Sequence, residues 1–346
     1  MYDGPLRIDI IIPTFNRAAA LVRCLESIAA QADRRGLMVI VIDDGSEVPA
    51  VECIPRSLSE RLDIRVLRQE NAGPARARNA GIAASNADYI GFVDDDVCID
   101  PGWLAAYRRV ISPDARGAFA YFGPLAAPAN WRPTPWNRWE ANTLRVEYGR
   151  MTAGVYEPTW RQFFTGNAVV RRDLILQAGG FNEGFTRAED IELGLRLKLR
   201  CGVTFRFVNE AVGWHYAHRS LESWLRIPRA YGHYEVLIDT LHPESHHAET
   251  LFEELNERRS RIARLIRTPA RNERLRAAGV WAATRAAIVL SRAGANLAAS
   301  RLLSLAYDAE YSHAFFENFS VAQASRLDRG EQPINSASTC GEYVQP

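Results

Sequence analysis

The run Asp88-Tyr-Ile-Gly-Phe-Val-Asp-Asp-Asp96 decides how this chain is organised. Its centre, Tyr89 to Val93, is a short apolar segment of the kind that forms a buried strand. The strand ends at three adjacent carboxylates, and like charges held this close repel each other. A divalent cation such as Mg²⁺ or Mn²⁺ would neutralise them, because it prefers oxygen ligands and also binds substrate phosphates. The alternative is a solvated acidic turn in front of a helix.

Two earlier segments repeat this pattern of an apolar strand followed by polar residues. The strand Ile8 to Ile12 is followed by Pro13, Thr14, Asn16 and Arg17, and the strand Leu37 to Ile42 by Asp43 and Asp44. Helical patterns alternate with these strands, which predicts an α/β fold with a mostly parallel sheet and helices on both faces. Ligands of such sheets bind outside the carboxyl ends of the strands, so we expect the three loops to face one crevice.

The residues at this crevice favour a nucleotide diphosphate over other phosphate ligands. The chain has neither a GxGxxG motif after its first strand nor a GxxxxGK[ST] motif. A carboxylate can accept hydrogen bonds from a base and from ribose hydroxyls, while other carboxylates hold a metal on a diphosphate. We therefore expect a nucleotide-diphosphate ligand whose diphosphate leaves with the help of a metal.

Composition excludes several classes of protein. The 346 residues are 47% hydrophobic and carry a net charge of +1, which argues for about two domains and against a dominant nucleic-acid surface. Five scattered cysteines without a CxxC pair predict free thiols in a reducing compartment. We find no signal peptide and no apolar run near the roughly 20 residues of a membrane span. We expect a cytoplasmic protein, with peripheral contact at the inner face of the membrane as the alternative.

Five motifs in order resemble those of family 2 glycosyltransferases, which are inverting enzymes of the GT-A fold. They are Ile12-Pro-Thr-Phe-Asn-Arg17, Val41-Ile-Asp-Asp-Gly-Ser46, Asn71-Ala-Gly-Pro-Ala-Arg-Ala-Arg-Asn-Ala-Gly81, Phe92-Val-Asp-Asp-Asp96 and Arg187-Ala-Glu-Asp-Ile-Glu-Leu-Gly-Leu-Arg196. The resemblance covers about residues 7 to 235. It implies transfer of a sugar from a nucleotide-diphosphate sugar, and we expect a UDP-sugar because uridine is the commonest base in the family. The acceptor would be a growing glycan, a glycolipid or a small molecule.

The resemblance implies a GT-A domain at residues 1–235, whereas helical patterns predict a helical region at 236–327 and composition predicts a disordered tail at 328–346. Within the first domain, residues 126–162 are rich in Trp and Pro and read as a lid or acceptor wall, or else as a packing hairpin. The helical region could join copies of the chain. Its basic segment, Arg258 to Arg267, fits either an anionic lipid surface or a solvated helix face.

The resemblance also implies a donor site. The nucleotide would contact Pro13, Thr14, Asn16, Arg17, Asp43, Asp44, Arg76, Asp94 and Asp95, with Asp44 on the base and Asp94 towards the ribose. For Asp44 the alternative is an Asx turn at Gly45. Arg76 and its neighbour Arg78 fit a phosphate contact and a solvated helix face equally well.

A metal site follows from the same resemblance. Asp94 and Asp96 match the Asp-x-Asp pair that would hold Mn²⁺ or Mg²⁺ on the diphosphate. His215, in preference to His218, would complete the coordination. The alternative for His215 is a hydrogen-bonded structural histidine.

Asp190 is the predicted catalytic base, and Glu189 would orient the acceptor or Asp190. Inverting transfer needs one carboxylate to take the proton from the acceptor hydroxyl as it attacks the anomeric carbon. The alternative is an acidic first turn of a helix, which the helix dipole favours. The candidates for contact with the donor or acceptor sugar are Thr165, Gly166, Asn167 and Trp160.

Two other classes of protein remain as alternatives. A sugar nucleotidyltransferase would need a Gly-rich loop with Arg and Lys near the N-terminus, where this chain has Pro13 to Arg17. A non-catalytic scaffold that binds nucleotide or carbohydrate would not need Asp94, Asp96 and Asp190 together.

Overall fold

The structure is a computed structural model in which residues 6–111, 117–257 and 273–328 are described. The chain packs as two compact units. Residues up to Trp131 and from Ala141 to Ala217 form one, here called the sheet unit. Residues Arg132–Glu140 and those from His218 onwards form the other, here called the helical unit. The predicted functional domains, 1–235 and 236–327, stay a prediction, and the packing boundary lies nearer residue 217.

Ten strands are described in the sheet unit. They are β1 (Ile8–Thr14), β2 (Leu37–Asp43), β3 (Ile64–Arg68), β4 (Tyr89–Val93), β5 (Val97–Ile99), β6 (Phe119–Phe122), β7 (Leu125–Ala126), β8 (Asn167–Arg171), β9 (Thr204–Phe207) and β10 (Gly213–His215). Seven form a sheet in the order β3-β2-β1-β4-β8-β6-β9, and β5, β10 and β7 form a small second sheet. In the large sheet β8 runs antiparallel to β4 and β6, and the other pairs are parallel. The predicted mostly parallel α/β sheet is confirmed.

Twelve α-helices are described. They are α1 (Ala18–Ala29), α2 (Ala50–Cys53), α3 (Arg56–Ser59), α4 (Pro74–Ala84), α5 (Trp103–Ile111), α6 (Pro135–Thr152), α7 (Arg172–Ala178), α8 (Glu189–Cys201), α9 (Leu221–Leu241), α10 (His247–Glu257), α11 (Glu273–Arg292) and α12 (Asn296–Asp328). Short 3₁₀ helices occupy Trp160–Gln162 and Pro243–Ser245. Helices α9 to α12 belong to the helical unit, which confirms the predicted helical C-terminal region.

The large sheet buries apolar side chains on both faces. In β1, Ile10 and Ile12 pack in one core with residues of α1 and α5, whereas Ile11 packs in the other with residues of α4, α7 and α8. Successive strand residues point to opposite faces, so a strand covered on both sides is apolar at every position. This is why the strands appear in the sequence as continuous apolar runs.

The strands that carry the polar loops are neighbours in this sheet. β1 lies between β2 and β4 and runs parallel to both, and its last residue, Thr14, is paired with Asp43 at the end of β2. The loops after these strands therefore begin at one edge of the sheet, as the sequence predicts.

The Trp- and Pro-rich segment forms α6 and a 3₁₀ helix, not a hairpin. Trp136 donates its indole N–H to the carbonyl oxygen of Arg219 at 2.8 Å, and Trp139 donates to the Ser304 hydroxyl at 2.8 Å. The Trp139 ring also meets the edge of Trp224 at 5.3 Å between centroids. These contacts all lie in the helical unit, so Trp136 and Trp139 are packing residues, and the predicted acceptor-side role of residues 126–162 stays a prediction.

Several sequence predictions concern residues beyond those described. The basic segment Arg258 to Arg267 lies outside the described residues, and so does the predicted tail after Asp328. Among the helices that the structure describes, none is both long enough and apolar enough to cross a bilayer.

Gly232 in α9 sets how closely α12 can approach. A Cβ at this position would lie 2.6 Å from the carbonyl oxygen of Tyr311 and 2.7 Å from the amide nitrogen of Phe315. Because backbone atoms cannot move aside cheaply, we expect Gly232→Ala to destabilise the helical unit by about 1–3 kcal/mol in urea unfolding followed by circular dichroism. Gly279→Ala in α11 is the matched control, since a Cβ there meets nothing within 4 Å. Equal midpoints for the two variants would show that this contact is not tight.

Candidate active site

The three acids that follow β4 have different partners. The Asp94 side chain is 38% exposed and accepts a hydrogen bond from Arg78 Nη2 at 2.8 Å. Asp95 is buried and accepts from the Thr14 hydroxyl at 2.8 Å and from Arg17 Nη1 at 3.1 Å. Asp96 accepts from the same Arg17 nitrogen at 2.9 Å. Two arginines thus supply part of the positive charge that the sequence assigns to a metal alone.

Asp95 holds the acidic loop against the end of β1. Burial raises the pKa of its carboxyl to about 6, with Arg17 opposing this shift and Asp96 adding to it. Both of its oxygens are bonded to side chains of the loop after β1, from Thr14 and Arg17. The local geometry makes Asp95 a support for the loop, and its predicted contact with a nucleotide stays a prediction.

The small sheet brings His215 to Asp96. β10 pairs antiparallel with β5, which places His215 opposite Val97. His215 Nε2 lies 3.6 Å from Asp96 Oδ1, and the Tyr216 N–H donates to the Asp96 carbonyl oxygen at 2.9 Å. His215 thus faces the acidic loop, which is compatible both with a structural histidine and with a metal ligand.

Two of the three predicted metal ligands, Asp96 and His215, are adjacent, while the metal role of the third, Asp94, stays a prediction. Asp94 is bonded to Arg78, and among the described residues no group of three or more His, Cys, Asp and Glu is arranged to hold a metal. An oxygen-seeking divalent ion is commonly held by one or two carboxylates together with substrate phosphates. Asp96 and His215 fit an ion that takes its remaining ligands from a diphosphate. His218 is an exposed residue of the helical unit.

Asp43 builds the turn after β2. Its carboxylate accepts from the N–H groups of Ser46 at 2.8 Å and Ala50 at 2.9 Å, and Arg68 Nη1 lies 3.3 Å away. Burial raises the pKa of this carboxyl, but the donors from Ala50 and Ser46 outweigh burial and lower the pKa overall. A carboxylate bonded in this way has little left for a nucleotide, so we leave Asp43 out of the proposed site.

Asp44 reaches the opposite loop. Its Oδ1 accepts from the Gln69 side chain at 2.7 Å and from the Ala72 N–H at 3.0 Å, and its Oδ2 accepts from the Gly73 N–H at 2.8 Å. The alternative of an Asx turn at Gly45 is therefore wrong for Asp44, whose carboxylate bonds to the loop of Gln69, Ala72 and Gly73. Oδ2 has one donor and the capacity for a second, such as a base N–H.

Asn16 ties the loops after β1 and β2 together. It adopts a left-handed conformation with φ 55°. Its N–H donates to the Ser46 hydroxyl at 3.0 Å, and its side-chain oxygen accepts from the Glu47 N–H at 2.8 Å. A cavity of about 350 Å³ opens here, with Asn16, Arg17, Ser46 and Glu47 in its wall. Pro13 is a half-buried residue of β1.

Arg78 is the site residue that the sequence leaves undecided. Its side chain is only 5% exposed, and it donates to Asp94 at 2.8 Å and to Glu189 Oε1 at 2.7 Å. Burial lowers the pKa of the guanidinium, but Asp94 and Glu189 more than compensate, so the pKa is raised and the charge is kept. The alternative of a solvated face is wrong for Arg78, although it describes Arg76, which is exposed. The sequence does hold a signal, because Ala75, Arg78 and Ile82 share one helix face and the other two are apolar.

Asp190 lies at the start of α8. Its Oδ1 accepts from the Ile191 N–H at 2.9 Å, and its Oδ2 is 3.4 Å from the Thr165 N–H. Burial raises the pKa of this carboxyl to about 7, Glu189 adds to the rise, and Arg78 opposes it. The residue does lie in an acidic first turn, yet a carboxyl poised near neutral pH also suits a general base.

The segment before β8 passes between the two carboxylate groups. A Cβ on Gly166 would lie 3.0 Å from Asp94 Oδ2, so the glycine permits this close approach. Thr165 directs its N–H at Asp190, and its buried hydroxyl has no hydrogen-bond partner among the residues that the structure describes. Thr165 and Gly166 therefore line the space between Asp94 and Asp190.

The two other candidates for sugar contact, Asn167 and Trp160, make hydrogen bonds or packing contacts within the fold. The Asn167 side chain donates to the carbonyl oxygens of Pro124 and Ala211 and accepts from Trp103 and Tyr107. These four bonds use its donors and acceptors, so we leave Asn167 out of the proposed site. Trp160 is half-buried and packs against α8 beside Gly194, and its predicted sugar contact stays a prediction.

A family model and a similar protein both point to glycosyl transferase family 2. The model of the family described as Glycosyl transferase family 2 matches residues 9–176. Over 246 residues the chain is 30% identical to a pre-mycofactocin glycosyltransferase of Mycobacterium tuberculosis, a match that covers 70% of this chain and 50% of that protein. The chain thus spans about half the length of this relative.

Solved structures share the fold at low sequence identity. A crystal structure of S. aureus TarS residues 1–349 superposes with a TM-score of 0.53 at 16% identity, covering 94% of this chain and 92% of that one. The mannosyltransferase PcManGT from Pyrobaculum calidifontis, described in complex with GDP-Man and Mn²⁺, gives a TM-score of 0.52 at 17% identity and covers 96% of this chain and 80% of that one. These likenesses confirm the predicted GT-A fold.

Arg78 and Arg76 lie on the same helix and allow a matched test. Replacing Arg78 by Met leaves Glu189 buried without its partner, and we expect a loss of about 3 kcal/mol or more in the free energy of unfolding. Arg76→Met should have little effect, because the side chain is exposed. Urea unfolding of both variants measures the difference. Similar stabilities would mean that the Arg78 ion pairs contribute nothing net.

Proposed function

Because this chain belongs to glycosyl transferase family 2, we propose that it transfers a sugar from a nucleotide-diphosphate sugar to a hydroxyl acceptor with inversion. One observation carries this proposal. Arg78 bridges Asp94, on the predicted donor side, to Glu189, beside the predicted base. Thr165 and Gly166 lie beside Asp190 and Asp94: the Thr165 N–H is 3.4 Å from Asp190 Oδ2, and a Cβ on Gly166 would lie 3.0 Å from Asp94 Oδ2. We place the donor sugar beside these residues, between the leaving diphosphate and the base.

The donor would bind along the ends of β1, β2 and β4. We assign the base to Asp44 and the ribose to Asp94, and we assign the phosphates to the side of the site where Arg17 lies. We propose a UDP-sugar, since uridine is the commonest base in the family and TarS has been crystallised with UDP-GlcNAc. The acceptor would be a growing glycan, a glycolipid or a small molecule.

Asp96 and His215 would hold Mg²⁺ or Mn²⁺, with the diphosphate completing the coordination. When bound, the ion would offset the negative charge that grows on the leaving diphosphate. Arg17 lies 2.9 Å from the same carboxylate of Asp96 and is half-exposed, so it adds positive charge at this place. Neither contribution requires Asp94 to leave Arg78.

Asp190 would accept the proton from the acceptor hydroxyl. Its Oδ1 is held by the Ile191 N–H, whereas Oδ2 has only the longer contact to the Thr165 N–H and is the oxygen that would take the proton. Glu189 is paired with Arg78 at 2.7 Å and would orient the neighbouring carboxyl. The reaction is a single displacement, so the site needs one base and no covalent nucleophile.

Replacing Asp190 by Asn keeps the shape of the side chain and removes the base. We expect transfer to fall by about 10²–10⁴-fold while nucleotide binding is retained. The wild-type rate should also fall as the pH drops through about 7, because a protonated carboxyl cannot accept a proton. Both effects are measured as product formation with the donor that binds best. Asp173→Asn is the control, because Asp173 is exposed beyond the far end of β8. An active Asp190→Asn enzyme would refute the assignment of the base.

Nucleotide and metal preference can be measured together. We expect calorimetry with UDP, dTDP, GDP and CDP, each with Mn²⁺, Mg²⁺ or chelator, to show tight binding of one diphosphate that requires metal. In Asp96→Ala the difference between metal and chelator should disappear. Binding of the same strength with chelator would refute the metal role of Asp96. Failure of every nucleotide to bind would favour a non-catalytic scaffold.

A further inference from the structure

The outward face of α11 is apolar and exposed. Leu275, Trp281 and Val289 are 58%, 63% and 64% exposed, and Ala278 and Ala282 lie between them on the same side. The opposite face, with Arg276, Val280, Thr284 and Ala287, is buried within the helical unit. A helix that packs one face against its own unit ordinarily turns charged residues to solvent. In α11 the solvent side instead presents large apolar side chains.

Positive charge accompanies this apolar face. Arg274, Trp281, Arg285 and Arg292 recur at intervals of seven, four and seven residues, which places them along one flank of the helix. The Arg285 guanidinium carbon lies 5.9 Å from the centre of the Trp281 ring. The acid of this helix is Glu273, its first residue. The exposed face is therefore both apolar and basic over its whole length.

We propose that α11 docks the protein on an anionic lipid surface. Leu275, Trp281 and Val289 would enter the boundary between headgroups and acyl chains, as apolar and aromatic residues of interfacial helices do. Arg285 and Arg292 have long side chains that can keep their charges at the lipid phosphates while their stems lie on apolar surface. The inference is independent of the proposed sugar transfer.

A second copy of the chain fits this face less well. If the face paired with itself in an antiparallel arrangement about a two-fold axis, the arginine flank of one copy would lie close to that of the other. The area of the exposed α11 face is also small. A 20-residue helix is about 30 Å long, so a strip about 10 Å wide offers about 300 Å², whereas a stable interface takes about 800 Å² from each partner. A membrane sets no such lower limit, because each apolar residue that enters adds to the binding.

Co-sedimentation of the full chain with vesicles tests the proposal. We expect binding to vesicles of phosphatidylcholine with phosphatidylglycerol, weaker binding to phosphatidylcholine alone, and a loss of binding when salt is raised. The double variant Arg285→Gln with Arg292→Gln should bind anionic vesicles about thirty-fold more weakly, since each arginine contributes about five-fold. Trp281→Ser with Val289→Ser should also release the protein.

Matched controls use exposed valines elsewhere. Val51→Ser with Val321→Ser removes two side chains that are as exposed as those of α11 and should leave vesicle binding unchanged. Circular dichroism of every variant checks that the helices are retained. Three results would overturn the proposal: no binding of the wild-type chain, equal binding to both kinds of vesicle, or wild-type binding by the α11 variants. Self-association that the α11 variants abolish in analytical ultracentrifugation, without vesicle binding, would assign the face to a second copy instead.

Discussion

The site depends on one buried cation, the guanidinium of Arg78. Taking a charge out of water costs several kcal/mol, and the cost is offset only by partners in good geometry. Asp94 comes from the end of β4 and Glu189 from the start of α8, 111 residues along the chain from Arg78. Folding must therefore place α4, the acidic loop and α8 together before the buried charges of Arg78 and Glu189 are compensated. The two apolar cores bring these elements together, since each core packs helices on one face of the sheet.

In each of the two acid clusters of the site, neighbouring carboxylates have different hydrogen-bond partners. Asp43 makes the turn after β2, whereas Asp44 binds the loop ahead of α4. Asp95 is buried against the end of β1, whereas Asp94 stays half-exposed at the site. Each cluster therefore contains a carboxylate that fixes the backbone and another that faces a neighbouring loop or the site. Such repeated acids are costly to hold together unless donors are provided, and here backbone N–H groups and arginines provide them.

The fold and the position of the loops follow from local pattern, and for that reason they could be predicted. Continuous apolar runs, alternating helices and polar residues at strand ends are visible within short windows. The roles of Asn167 and Trp139 could not be read in this way, because their partners lie far away in the sequence: Asn167 bonds to residues near 103, 124 and 211, and Trp139 to Ser304. A polar or aromatic residue in a motif looks available for a ligand until its tertiary partners are known. The burial of Arg78 could be predicted in part. Its position on the apolar face of α4 indicates burial, but its partners Asp94 and Glu189 could not be identified from the sequence.

The same guanidinium links the two sides of the site electrostatically. Burial and the charge of Glu189 raise the pKa of Asp190, and the charge of Arg78 lowers it. Arg78 divides its hydrogen bonds between Asp94 and Glu189, so the balance at Asp190 depends on both carboxylates. Interactions of this kind are strong because the groups are largely removed from water. A change at Asp94 therefore reaches Asp190 through Arg78, so the pKa of the proposed base depends on the pairing of Asp94 on the donor side.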